Sequence, residues 1–144
     1  MPLEGEYEPC TWGMAAEQVA QIEQSGGTDG TVLRGAPCVV LWSRGAKTGK
    51  VRKTPVIRIT DGQRYAAVGS MGGAPKDPSW VGNLRADPSA TVQDGPAVRD
   101  YRARELHGAE KAEWWRRATE VWPAYDEYQG RTDRSIPVFL LEEV

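Results

Sequence analysis

The segment Thr54-Pro55-Val56-Ile57-Arg58-Ile59-Thr60-Asp61-Gly62-Gln63-Arg64-Tyr65-Ala66-Ala67-Val68-Gly69-Ser70 decides how the chain folds. From Thr54 to Thr60 the apolar positions Val56, Ile57 and Ile59 run in a strand-like pattern into Asp61-Gly62, a pair suited to the left-handed backbone of a tight turn. Arg64 to Ser70 reads as the returning strand. A hairpin in the middle of the chain makes an antiparallel sheet the natural expectation.

Directly upstream, Trp42-Ser43-Arg44-Gly45-Ala46-Lys47-Thr48-Gly49-Lys50-Val51-Arg52-Lys53 sets five cations within ten residues, with Gly45 and Gly49 to let backbone approach a ligand. The chain is formally −2, so these cations stand on a remainder of −7. A cationic, glycine-containing loop on an acidic protein suits an anionic small molecule, although a solvated basic hairpin has the same composition. Before it, Pro37 to Trp42 is a short apolar run that reads as a buried strand, and Gly26 to Gly35 reads as turn. The N-terminal arm, residues 1–27, carries Glu4, Glu6, Glu8, Glu17 and Glu23 and no Lys or Arg. Within it Thr11 to Gln24 has helical apolar spacing, with Thr11 as N-cap and Gly26-Gly27 as stop. Its acidic polar face does not suit anionic lipid.

Downstream, Met71-Gly72-Gly73-Ala74-Pro75-Lys76 is too rich in Gly and Pro to be regular. Asp77 and Pro78 read as N-cap and first residue of a short helix through Trp80 and Leu84 that stops at Asp87-Pro88. Strands follow at Ala90 to Gln93 and Ala97 to Arg104, joined through Asp94-Gly95-Pro96. A helix spans Ala109 to Val121, a further turn or two Tyr125 to Gly130, and Ile136 to Leu141 closes the chain as a strand entered through Pro137. About six antiparallel strands with short flanking helices and no βαβ alternation predict an α+β chain built on a small barrel. Residues 28–144 form that domain.

At 144 residues the chain has the length of one domain. Its longest apolar run is too short to span a bilayer, and no basic-then-apolar signal precedes it. Its charge balance speaks against nucleic acid. Cys10 and Cys38 have no metal or redox spacing. A cytoplasmic protein without a metal site and without stable membrane insertion is the expectation. Gly45 to Lys50 fails as a phosphate-binding P-loop: three residues separate the glycines, Val51 follows Lys50, and a strand follows in place of a helix. His107 is the only histidine, so no Ser-His-Asp set can be built, and it reads as a cap or surface residue. Chemistry carried by an organic cofactor is then the natural hypothesis. Trp122, Tyr125 and Tyr128, spaced i, i+3, i+6 across Pro123, form either a helix seam or a lid that stacks on a flat substrate.

Taken together, Gly35-Ala36-Pro37, Lys47-Thr48-Gly49 with Arg52 and Pro55, Gly72-Gly73-Ala74-Pro75-Lys76 with Pro78 and Trp80, Asn83-Leu84 with Pro88, Tyr125 with Tyr128, and Arg131-Thr132-Asp133-Arg134 with Ile136-Pro137 resemble the deazaflavin (F420)-dependent nitroreductase family. The resemblance runs from about Gly26 to the C-terminus. It implies a split β-barrel like that of FMN-binding proteins, and coenzyme F420 as cofactor, with FMN the lesser alternative. It implies hydride transfer from the reduced deazaflavin to a quinone, nitroaromatic or activated double bond, and so a flat or aromatic small-molecule substrate. By the same resemblance, Lys47, Thr48, Arg52, Gly72, Gly73 and Lys76 meet the coenzyme's anionic groups. Pro55, Ile57, Val68, Trp80 and Asn83 line its ring and linker. Ser70, Trp122, Tyr125 and Tyr128 face the acceptor, with a tyrosine hydroxyl or water as proton source. A homodimer is compatible with the resemblance, which does not fix the oligomeric state.

Two positions depart from the family pattern. Ala46 stands where the first loop has an arginine, and Met71 where the second has a lysine. A hydrogen bond to a charged group contributes roughly 1.5–3 kcal/mol, so both losses together weaken coenzyme binding by about two to four powers of ten. Arg44, two positions earlier, is the candidate to replace part of that charge. The departures keep two other uses of the cavity open: a cofactor-independent isomerisation, cyclisation or elimination, or a non-catalytic carrier of flat apolar ligands.

Overall fold

The computed structural model describes residues 22, 32–33, 36–70, 73 and 76–144. The expected helix over Thr11 to Gln24 lies outside them except for Ile22, which is helical and buried with Val40. Eight strands are described: β1 (Val32–Leu33), β2 (Ala36–Arg44), β3 (Val51–Ile57), β4 (Ile59–Thr60), β5 (Tyr65–Val68), β6 (Ser89–Asp94), β7 (Ala97–Glu105) and β8 (Val138–Glu143). Besides the helical Ile22, three helices lie among the described residues: α1 (Ser79–Ala86), α2 (Gly108–Val121) and α3 (Ala124–Gly130). All the pairings are antiparallel, in the order β1-β2-β6-β7-β8-β5-β4, with β3 also paired to β2.

The sheet is a curled half-barrel, and the period of two along each strand sorts its side chains into two cores. One face carries Val39, Leu41, Val92, Tyr101, Phe139 and Leu141 and closes on Trp80, Val81 and Leu84 of α1. The opposite face carries Cys38, Ile57, Val68, Val138 and Leu140 and is covered by Trp114 and Ala118 of α2 and Tyr125 of α3. This is a split β-barrel, with one side of α1 packed on its inner face and α2 and α3 on its flank.

Several boundaries differ from the sequence expectation. Val32–Leu33, read as turn, pairs with Pro37 and Ala36 as a short strand. The strand expected over Thr54 to Thr60 begins three residues earlier, because Val51, Arg52 and Lys53 find ladder partners in Arg44, Ser43 and Trp42. It also breaks at Arg58. There the backbone N–H turns to the Pro37 carbonyl at 2.8 Å, and the side chain bonds Asp94 at 2.9 Å. Asp94 also accepts the Tyr65 hydroxyl, so one carboxylate ties the β4–β5 hairpin to the end of β6.

Helix α1 begins at Ser79, with Pro78 in the extended N-cap position and no side-chain cap. The Asp77 carboxylate, expected to cap it, is taken by Arg134 at 2.7 Å instead. At the end of the chain, β8 starts at Val138, one residue past Pro137, whose carbonyl accepts the Gly69 N–H.

Candidate active site

The loop between β2 and β3 is closed by its own backbone. Gly45 N–H donates to the Lys50 carbonyl at 2.7 Å, Gly49 N–H to the Gly45 carbonyl at 2.8 Å, and Lys50 N–H to the Thr48 hydroxyl at 3.2 Å. Gly49 sits at φ +72°, the left-handed region that favours glycine. Ala46 N–H donates to Asn83 Oδ1 at 3.0 Å, and Asn83 Nδ2 donates to the Ser43 hydroxyl at 3.3 Å. Asn83, 7% exposed, is thus the post to which the basic loop is tied. These four N–H groups are engaged inside the protein. Lys47 is exposed, as is Lys76 on the far side of the glycine loop, and among the described residues neither has an ion-pair partner. Arg44 is committed elsewhere: it donates to the Gly49 carbonyl at 3.0 Å and lies 3.9 Å from Asp87. It braces the loop, and the expectation that it replaces the missing arginine meets that competition.

The pleat of β3 divides the candidate residues that sit on it. Arg52 stands opposite Ser43, on the face of Val39, Leu41 and Val56. Pro55 and Ile57 stand opposite Val40 and Cys38, on the other face. Trp80, 3% exposed, belongs with the Arg52 face: it packs edge-on against Phe139 with ring centroids 5.8 Å apart. Sequence alone pooled these residues. The sheet assigns Arg52, Asn83 and Trp80 to the interior side and Pro55, Ile57 and Val68 to the flank.

On the flank, Ile57 and Val68 share one cluster with Tyr125, and Trp122 and Tyr128 pack against it. The Tyr125 and Tyr128 rings meet edge-to-face at 6.2 Å. Tyr125 is 4% exposed, and burial pushes its phenol well above the ordinary tyrosine range, so it stays protonated at any physiological pH. The Tyr128 hydroxyl accepts a long bond from the Trp122 indole N–H, 3.4 Å, which leaves its own proton to donate. The aromatic string is therefore part core and part rim.

Ser70 is buried at the end of β5, and its carbonyl accepts the Gly73 N–H at 2.9 Å. Gly73 has φ +82°, and a Cβ there would lie 2.7 Å from the Tyr128 carbonyl oxygen. The glycine loop thus touches the aromatic helix directly. Gly72 lies outside the described residues. Asp77, which follows Lys76, bonds Arg134, whose guanidinium also donates to the Gly69 and Ser70 carbonyls at 3.1 and 2.7 Å. The sequence singled out Arg134 only as part of a motif, since nothing local indicates that it reaches back to β5.

A separate cavity of about 630 Å³ opens between Leu84, Pro88, Arg102, Ala103 and Phe139. None of the candidate residues lines it, and its charged walls are largely paired, Arg85 with Glu105 and Arg104 with Glu142. Among the described residues no helix is long and apolar enough to cross a membrane.

Comparison with known proteins agrees with this arrangement. Residues 14–143 match the family model of F420H(2)-dependent quinone reductase. An F420H(2)-dependent quinone reductase of Mycobacterium tuberculosis is 36% identical over 122 residues, which is 80% of this chain and 82% of that one. Among solved structures, an F420-H2 dependent reductase superposes with a TM-score of 0.70 at 50% identity, covering 74% of this chain and 94% of its own. A structure described as a domain-swapped dimer superposes with a TM-score of 0.73 at 47% identity, covering 88% and 95%. With a split barrel, a tethered cationic loop and an aromatic flank in one chain, and with these likenesses, the protein belongs to the F420H(2)-dependent quinone reductase family.

Proposed function

We propose that this chain reduces quinones, and by the same chemistry nitroaromatics or activated double bonds, with coenzyme F420 held between the basic loop and the flank of the barrel. The observation that carries the reading is that Ile57 and Val68, expected on the coenzyme side, share one cluster with Tyr125, Trp122 and Tyr128, expected on the acceptor side. The residues present suit a flat, anionic coenzyme. Lys47 and Lys76 offer exposed charge, and Pro55, Ile57 and Val68 offer an apolar strip. The Trp42 indole N–H, on the Pro55 face, is buried with no hydrogen-bond partner among the described residues. A carbonyl edge of a flat ring would satisfy such a donor.

In this reading Lys47, Thr48, Arg52, Gly72, Gly73 and Lys76 hold the anionic part, and Asn83 keeps the loop in place. Trp80 supports α1 from inside the barrel. The bound deazaflavin supplies a hydride in its reduced form. Tyr128, its lone pair engaged by Trp122, donates a hydrogen bond to the acceptor oxygen, and Ser70 and Tyr125 bound that side and exclude water. A proton delivered at that oxygen completes reduction of a quinone carbonyl. Residues 1–27 act as an arm on a barrel formed by 28–144, in a cytoplasmic protein that binds no nucleic acid and is not stably inserted in a membrane. The domain-swapped dimer among its relatives favours a homodimer.

The test is direct. Purified protein is titrated with oxidised and reduced F420 while tryptophan fluorescence is followed, and then mixed with menadione while coenzyme oxidation is read by absorbance. Quenching and menadione-dependent oxidation are expected. No quenching at near-millimolar coenzyme overturns the reading.

A further inference from the structure

We infer that Arg134 is a positioning residue that sets the glycine loop and the aromatic helix α3 at a fixed spacing, and so sets the coenzyme side and the acceptor side together. The inference rests on the reductase reading and adds to it a residue outside the expected site.

The geometry is specific. The Arg134 side chain is only 16% exposed, and its guanidinium reaches three acceptors: the Gly69 carbonyl, the Ser70 carbonyl and the Asp77 carboxylate. Gly69 and Ser70 lead into the loop and Asp77 leaves it, so one planar group clamps both ends. Ser70's carbonyl is shared with the Gly73 N–H, which links the clamp to the middle of the loop. Lys76 precedes Asp77 and inherits its placement.

The same segment is held from the other side by α3. Gln129 Nε2 donates to the Arg134 carbonyl at 2.7 Å, and Gln129 Oε1 accepts the Ile136 N–H at 3.0 Å. Gly73 in turn lies against the Tyr128 carbonyl. Loop, Arg134 and α3 therefore close a circuit, with Ser70 and Lys76 on one arm and Tyr125 and Tyr128 on the other. A lysine carries the same charge but presents a single ammonium, which cannot match a fork spread over three acceptors. The network continues outward only weakly, since Asp77 meets Arg85 at 3.5 Å.

The experiment compares wild type with Arg134→Lys, Arg134→Ala and Asp77→Asn, each assayed well below its own melting temperature. A clamp of this kind predicts that Arg134→Lys weakens F420 binding at least tenfold and lowers kcat with menadione at saturating coenzyme. A residue that only stabilises the fold would lower Tm and leave Kd and kcat of the folded protein at wild-type values. That result overturns the inference. Hydrogen–deuterium exchange provides a readout that needs no coenzyme. Arg134→Lys is expected to speed exchange in peptides covering 69–77 and 125–131 while the β6–β7 hairpin stays at wild-type rates. If wild type fails to bind F420, the reductase reading falls, and exchange alone then decides the clamp: unchanged protection over 69–77 overturns it.

Discussion

Gly73 lies beneath the backbone of Tyr128, so close that a methyl group on its α-carbon would stand 2.7 Å from the Tyr128 carbonyl oxygen and 3.0 Å from Arg131 Cβ. The neighbour is backbone at the end of a helix, which cannot swing aside as a side-chain tip would. Two requirements coincide at this residue: a left-handed φ of +82° and the lack of a side chain. Gly49 shares the first, at φ +72°, but a Cβ there meets nothing within 4 Å.

Comparing alanine at the two sites separates conformation from collision. Gly49→Ala is expected to cost roughly 1 kcal/mol from the left-handed backbone alone. Gly73→Ala adds the clash and is expected to cost about 2–3 kcal/mol or more. Chemical denaturation of both variants measures the difference. Equal losses would mean that the loop moves off α3 freely, and the contact would then have no part in shaping the site.

Asn83, expected to line the coenzyme's ring and linker, bonds Ala46 and Ser43 through its amide. Through these bonds it holds the basic loop that carries Lys47. Asn83→Ala leaves the Ala46 N–H without its acceptor and is expected to cost about 1–3 kcal/mol of stability. It should also weaken F420 binding by loosening Lys47. A double-mutant cycle with Lys47→Ala checks this: the two losses in affinity should be less than additive. Full additivity would mean that Asn83 acts on the coenzyme without Lys47.

The strands of this barrel were legible wherever local chemistry decides them. Asp61-Gly62 and Asp94-Gly95 mark the hairpins, and the apolar run at Pro37 to Trp42 marks β2. The start of β3 was hidden because Arg52 and Lys53 look like loop residues, and only pairing with Ser43 and Trp42 makes them strand. The side-chain period of two was available in the sequence, and it alone would have parted Arg52 from Pro55 and Ile57. What no local pattern carries is the reach of Arg134 to Gly69, 65 residues away. Contacts of that span exist only once the sheet has curled and α3 has docked on it.

Asp61 makes the hairpin turn sensitive to acid. Its partial desolvation raises the carboxyl pKa, but the N–H groups of Arg64 and Gln63 and the Arg64 guanidinium outweigh that and hold it at about 2. A depressed carboxylate stabilises the fold above its unfolded pKa, near 3.9, and that contribution fades as pH falls through about 2. The site is exposed, so solvent screening limits the effect to about 0.5–1 kcal/mol. Asp61→Ala should lose this at pH 7 and match wild type more closely near pH 2. Urea titrations at the two pH values compare them, and a difference that grows in acid would reverse the assignment.

Restoring the two missing cations tests how the anionic part of the coenzyme is held. Ala46 is exposed, and the contact that fixes it is its backbone N–H to Asn83. An arginine there keeps that bond and projects into solvent beside Lys47. Ala46→Arg is therefore expected to leave Tm near wild type and to tighten F420 binding about tenfold or more, the worth of one charge-assisted hydrogen bond. Met71→Lys should add a second gain. Because position 46 is exposed, the gain from Ala46→Arg should shrink as salt is raised towards 1 M, where screening acts within about 3 Å. Quenching titrations at low and high salt measure both effects. Unchanged affinity in the double variant would mean that the coenzyme's negative groups lie away from the β2–β3 loop.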